Sequence, residues 1–180
     1  MADYFTGQRL EDYPPGIRIG IRQHRAIDTF TDQHPRFATS RRAIADAGAP
    51  AHTAGILADV FFDHVLASEW GRWGKPLCAL ELEPFGERLY SIFDGTKAWH
   101  SPIFAQVCPW ISRMSWFSGW AHRDGIQRTL SGLSHHMSGT VDLAKSITIL
   151  DRLDTTIRLD FAAFWPDLVD FARHWAEQES

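Results

Sequence analysis

At 180 residues, with 44% hydrophobic and 22% charged residues, the chain has the length and composition of one folded domain, residues 1–180, and not of a disordered segment. Its net charge of -4 is too mild for nucleic-acid binding by bulk electrostatics, and no apolar run approaches membrane-spanning length. The N-terminus lacks a basic-then-apolar signal pattern, and Cys78 and Cys108 follow no metal-ligand spacing, so buried thiols in a reducing cytoplasm are expected.

Residues 1–12 read as the end of a short helix or turn, with Gly7 as its stop signal. Pro14, Pro15 and Gly16 then predict a loop into a helix that Pro35 ends. Within that helix His24, Asp28 and Asp32 recur every four residues. At about 100° per residue such positions lie about 40° apart, close enough to share one ligand. Arg18, Arg22 and Arg25 fall in an adjoining stripe, and Ile19, Ala26, Ile27 and Phe30 roughly opposite. The layout suits a metal site that handles a phosphate ester. It equally describes acids that pair with the arginines of a solvated helix face.

A second helix is expected over 36–47, closed by Gly48 and Pro50, with Arg41 and Arg42 facing solvent. From His52 to Trp73 the pattern is helical again, with Ile56, Leu57, Val60, Phe61, Val65 and Leu66 around much of the circumference. Asp59 and Asp63, with His64 beside them, interrupt this apolar helix. Acids there must be ion-paired, hydrogen-bonded or metal-bound, because an isolated buried carboxylate is expensive. Gly71, Gly74 and Pro76 predict a loop. Further helices are expected over 80–93, 102–118, 119–137 and 143–174, the last kinked or divided by Pro166. Few runs alternate as strands do, so the fold class is all-α.

Imidazole and carboxylate suit Mn²⁺, Mg²⁺ or Fe²⁺ better than a thiolate-selected metal. Such an ion polarises a phosphoryl oxygen and activates water, and Arg22 or Arg25 could hold the phosphate. No Gly-rich phosphate loop, zincin pair or nucleophile elbow competes with this reading.

The stretch GIRIGIRQHRAIDTFTDQHP resembles the Gly-Ile-x-x-His-Arg-x-Ile-Asp-x-x-Thr-Asp segment of the acyl carrier protein phosphodiesterase family. DVFFDHVLASEW resembles that family's Asp-x-x-x-Asp-His-x-Leu helix, DGIQRTLSGLSHHMSG its later Gly-Ile-x-x-x-Leu segment, and ADYFTG its Ala-Asp-Phe-x-x-Gly turn. The resemblance implies manganese-dependent removal of 4′-phosphopantetheine from a serine of acyl carrier protein. It also implies an all-helical bundle related to the divergent HD-type phosphohydrolases. Asp3, His24, Asp28, Asp32, Asp59, Asp63 and His64 occupy the motif positions. His24, Asp28 and Asp63, then Asp3 and Asp59, are the expected metal ligands. Asp32 or His64 is expected to manage the proton, and Asp32 and Asp59 could instead orient ligands.

The family usually opens with a further segment containing Asn-x-Leu-Ala-His, and this sequence begins at the turn that follows it. If that histidine is a ligand, either the chain as given is an inactive remnant or its start is placed too late. Trp120 stands where a tyrosine is common, and His136 where an arginine is common. Arg18, Arg22, Arg25 and Arg41 could form part of a cationic landing surface for the acidic carrier. Two other readings stay open at this point: hydrolysis of a nucleotide or other small phosphoester, and a helical binding protein without a metal.

Overall fold

The computed structural model describes residues 9–102, 104–106, 108, 116–136 and 141–179, and every regular element among them is helical. Helix α1 (Pro15–Gln33) has proline at its first position, where a missing N–H costs nothing. Pro15 and Gly16 therefore lie inside the helix and not in the loop expected before it. His34 turns out of helical conformation ahead of Pro35, which opens α2 (Pro35–Asp46). His34 Nδ1 accepts the Arg36 N–H at 3.2 Å, and its Nε2–H donates to Asp167, which caps α2. Gly48, at φ 96°, closes the helix in the left-handed region that glycine enters freely.

Helix α3 (Ala54–Ser68) is apolar around most of its surface and runs through the middle of the molecule. Leu57, Ala58, Phe61 and Val65 have almost no exposure. The helix expected from His52 to Trp73 is broken at Glu69, after which Trp70–Trp73 forms the short α4. Glu69 leaves the helix to accept from Trp73 Nε1 at 2.9 Å and from Arg158 at 2.7 Å. The short α5 (Lys75–Cys78) and α6 (Leu82–Gly95) follow. Part of the helix expected over 102–118, with Val107, Trp110, Ile111 and Met114, lies outside the described residues. Phe93, Phe104 and Cys108 form a small apolar cluster of their own.

The short α7 (Trp116–Gly119) closes the region expected as a helix over 102–118, and the helix expected over 119–137 is α8 (Arg123–His136), which starts four residues later. The break turns the Trp120 carbonyl inward, where His64 takes it. Ile126 and Leu130 of α8 are fully buried in the main core, which also holds Phe61 and Leu57 of α3. After a 3-10 turn (Leu143–Ser146), α9 (Ile147–Glu179) runs through Pro166 undivided. Pro166 is exposed, so its ring faces solvent, while Phe161, Phe164 and Trp165 anchor the helix on its inner side. Helix α9 is the spine, packing on α1, α2, α3 and α8.

Two faces of α1 are covered. Phe30 stacks on Phe171 of α9 at 4.5 Å between ring centres, and Gln23 Nε2 donates to the Ala172 carbonyl at 3.3 Å. Ile21 is the buried apolar residue of α1, whereas Ile19, expected on the apolar side, is 38% exposed. Ile17, one turn before Ile21, packs into the 92–104 region. The wheel with one apolar side is thus corrected to one with two.

Candidate functional site

The apolar wall of α3 carries Asp59 and Asp63 one turn apart, and α1 presents Asp28 and Asp32 toward them. Burial pushes the Asp59 carboxyl up to about 6, and the charges of Asp32 and Asp28 push the same way. Asp63 lies deeper; burial first, then the Asp59 charge, raises it to about 7. The two four-residue spacings seen in the sequence therefore converge on one acidic cluster. Between the helices lies a cavity of about 140 Å³ lined by Thr31, Asp59, Phe62, Asp63, Leu66 and Trp165, among others.

On α1 the His24 Nδ1–H donates to Asp28 at 2.9 Å, a pair open to solvent. His64 projects away from the acids because neighbouring residues on a helix point about 100° apart. Its Nδ1–H donates to the Trp120 carbonyl at 2.8 Å. Burial lowers its proton affinity, partly countered by that bond, so the ring is neutral near pH 7. Arg22 pairs with Glu179 at 2.6 Å and lines a separate cleft with Leu10, Glu11, Pro15, Arg18 and Ile19. Arg25 is exposed, three residues before Asp28. Asp3 lies outside the described residues, as does the side chain of His136.

Every charge that shifts Asp59 and Asp63 among the described residues is another carboxylate. Oxygen-rich donors of uncompensated charge, with one imidazole in the same stripe, fit a hard or borderline divalent cation. Among the described residues no three His, Cys, Asp or Glu side chains are close enough to share one ion as they stand. The fit is therefore one of donor chemistry and charge.

Several residues that shape the site carry no motif signal. Thr31 and Trp165 line the acidic cavity. Thr129, buried in α8, accepts two indole N–H groups, from Trp116 at 2.9 Å and Trp120 at 3.1 Å, while its own hydroxyl donates to the Gly125 carbonyl. That network holds Trp120 in place beside α3. The eight tryptophans were its one trace in the sequence.

Comparison with known proteins adds family evidence. A family model described as acyl carrier protein phosphodiesterase matches residues 1–168. A Klebsiella pneumoniae protein named acyl carrier protein phosphodiesterase is 27% identical over 175 residues, covering 97% of this chain and 88% of that protein. An Escherichia coli protein of the same name is 25% identical, with 98% of this chain and 89% of that protein covered. A Serratia proteamaculans protein, also so named, is 25% identical over 96% of this chain and 87% of its own length. No solved structure matches the chain significantly.

Proposed function

Because the chain belongs to the acyl carrier protein phosphodiesterase family, we propose that it hydrolyses the phosphodiester joining 4′-phosphopantetheine to a serine of holo-acyl carrier protein. The observation that carries this reading is the convergence of Asp28 and Asp32 on Asp59 and Asp63 across two helices. It is a phosphodiester hydrolase with carrier protein as its macromolecular substrate. We further propose that it works in the cytoplasm and with manganese. No described helix is long and apolar enough to cross a membrane.

Asp28, Asp59 and Asp63, with His24 and Asp3, would hold the ion. When bound, a divalent cation supplies Lewis acidity at a phosphoryl oxygen and makes water nucleophilic near neutral pH. Arg25, exposed on the same helix, holds the phosphate and offsets its growing charge; Arg22 can do so only by releasing Glu179. Asp32 takes the proton of the attacking water and returns it to the departing serine oxygen. A P–O bond to water forms as the P–O bond to serine breaks, giving apo-carrier and 4′-phosphopantetheine. His64, turned toward Trp120, supports the far side of α3.

Incubation with holo-carrier and Mn²⁺, followed by intact-protein mass spectrometry, tests the reading. The carrier is expected to lose the mass of its phosphopantetheine arm. An unchanged carrier beside rapid cleavage of a chromogenic small diester would move the substrate to the small phosphoester class.

A further inference from the structure

A second, larger cavity shares a wall with the acidic one: Asp63, Leu66 and Trp165 line both. Its volume is about 310 Å³, and its other walls are almost wholly apolar, with Trp70, Leu82, Phe85 and Trp120 prominent. Asp63 is its one charged lining residue among the described residues. Leu77, 46% exposed, stands at its mouth.

The apolar character is built in. Trp70 Nε1 is satisfied by the Leu80 carbonyl at 2.8 Å and Trp120 Nε1 by Thr129, so the indoles offer only their hydrocarbon faces. Gly74 lets the Trp70 ring lie against the backbone, where any Cβ would collide with it. A polar group placed here loses its water and finds few partners, whereas a compact hydrocarbon group suits the space.

We propose that this cavity receives the pantoyl end of the phosphopantetheine arm, where a carbon bearing two methyl groups follows the phosphate, and that it selects this diester by those methyl groups. The proposal rests on the phosphodiesterase reading, since it is the phosphodiester at the acidic cluster that brings the group to the shared wall. The dimethyl carbon is three bonds from phosphorus, about 4 Å, so a diester held beside Asp63 presents its methyl groups at Asp63 and Leu66. On the other side of the diester, serine joins the carrier's main chain through a single methylene, and a folded backbone does not enter a space between helices. The arm is the thin side. At about 30 Å³ per carbon the six-carbon pantoyl group needs roughly 180 Å³, which the cavity supplies. The hydroxyl and the two amides farther along the arm are polar and stay at the mouth, in reach of water. The thiol, at the far end, plays no part.

Two measurements on the full chain test this. In the first, kcat/KM is determined with Mn²⁺ for carrier bearing the natural arm and for carrier bearing an arm without the two methyl groups. Removing two buried methyl groups is expected to lower kcat/KM about tenfold. Ala67 lines this cavity and not the acidic one, so Ala67→Leu fills the space without touching the acids. In that variant, with circular dichroism matching the parent, the natural carrier should fall to the level of the trimmed one. The second measurement needs neither metal nor turnover: the indole N–H resonances of ¹⁵N-tryptophan-labelled protein are followed as panthenol, a neutral pantoyl amide without phosphate, is added at millimolar concentration. The signals of Trp70, Trp120 and Trp165, assigned by Trp→Phe variants, are expected to move, and the same amide without the methyl groups should leave them in place. Equal kcat/KM for the two carriers, with unmoved indole signals, overturns the subsite and leaves the phosphodiesterase intact. A parent preference that Ala67→Leu fully retains also overturns it, because the methyl groups then bind elsewhere. Moving indole signals with no cleavage of either carrier uphold a pantoyl site and remove the phosphodiesterase reading instead.

Discussion

A Cβ on Gly125 would collide with the carbonyl group of Gly119, so two backbones touch where α8 begins. No rotamer change relieves a clash with main chain. Gly125→Ala is expected to destabilise the fold by about 2 kcal/mol or more, the upper range for overpacking, and to lower Tm in thermal unfolding. A Tm equal to the parent's would show that the two segments can separate without cost.

Gly20, in the same kind of helical position on α1, has nothing within 4 Å of where its Cβ would stand. Gly20→Ala should therefore stabilise the chain by about 1 kcal/mol through helix propensity alone. If Tm rises as expected while KM for the carrier worsens, Gly20 keeps α1 open for close approach of the substrate.

The acids predict an inverted pH dependence in metal-free protein. Asp63 moves from 3.8 unfolded to about 7 folded, and Asp59 to about 6, so the folded state binds more protons between those values. Stability then falls as pH rises from about 4 to about 7. Mn²⁺ at pH 8 should raise Tm, because it binds only the folded arrangement. Asp63→Asn, freed of the buried charge, should melt several degrees above the metal-free parent at pH 8 and show no response to Mn²⁺. A metal-free parent whose Tm climbs steadily from pH 5 to 8 would contradict the raised affinities.

His24 and Asp28 form a solvent-open pair, a type that contributes between 0 and about 1 kcal/mol. Asp28→Ala should accordingly leave helicity and Tm nearly unchanged while elemental analysis shows metal content falling to background. Metal retained at the parent level would remove Asp28 from the ligand set.

Arg22 and Glu179 can be separated by paired variants. Their bond is partly exposed, so Arg22→Ala and Glu179→Ala should each cost less than about 1 kcal/mol. Only Arg22→Ala should slow carrier hydrolysis, and if both variants turn over like the parent, Arg22 has a purely structural role.

Helix identity was legible from periodicity because most helices here have a continuous apolar stripe, and α1, α2, α6 and α9 lie within a few residues of expectation, apart from the longer C-terminal end of α9. The break at Glu69 was not legible, since it exists to reach Arg158, a partner distant in sequence, whereas the boundary expected between 118 and 119 lies within a few residues of the turn that gives the Trp120 carbonyl to His64. Ile19, expected on the apolar side, is exposed for a related reason: a helix covered on two sides has no single apolar direction. The acids were visible as spacings on α1 and α3, but nothing local says that those spacings face each other. The Gly125-Ile126-Leu130 signature, read as part of a family motif, proves to be packing: one glycine for backbone approach and two fully buried side chains.

The tie between Gln23 and the Ala172 carbonyl spans 149 residues. A chain emerging from the ribosome makes α1 early, yet its chief neighbour α9 arrives last. Until then α1 has α2 beside it but no spine to hold its acids opposite α3. A contact of such separation forms late, so a chain that has not yet docked α9 holds all four carboxylates without the helix that sets α1 opposite α3.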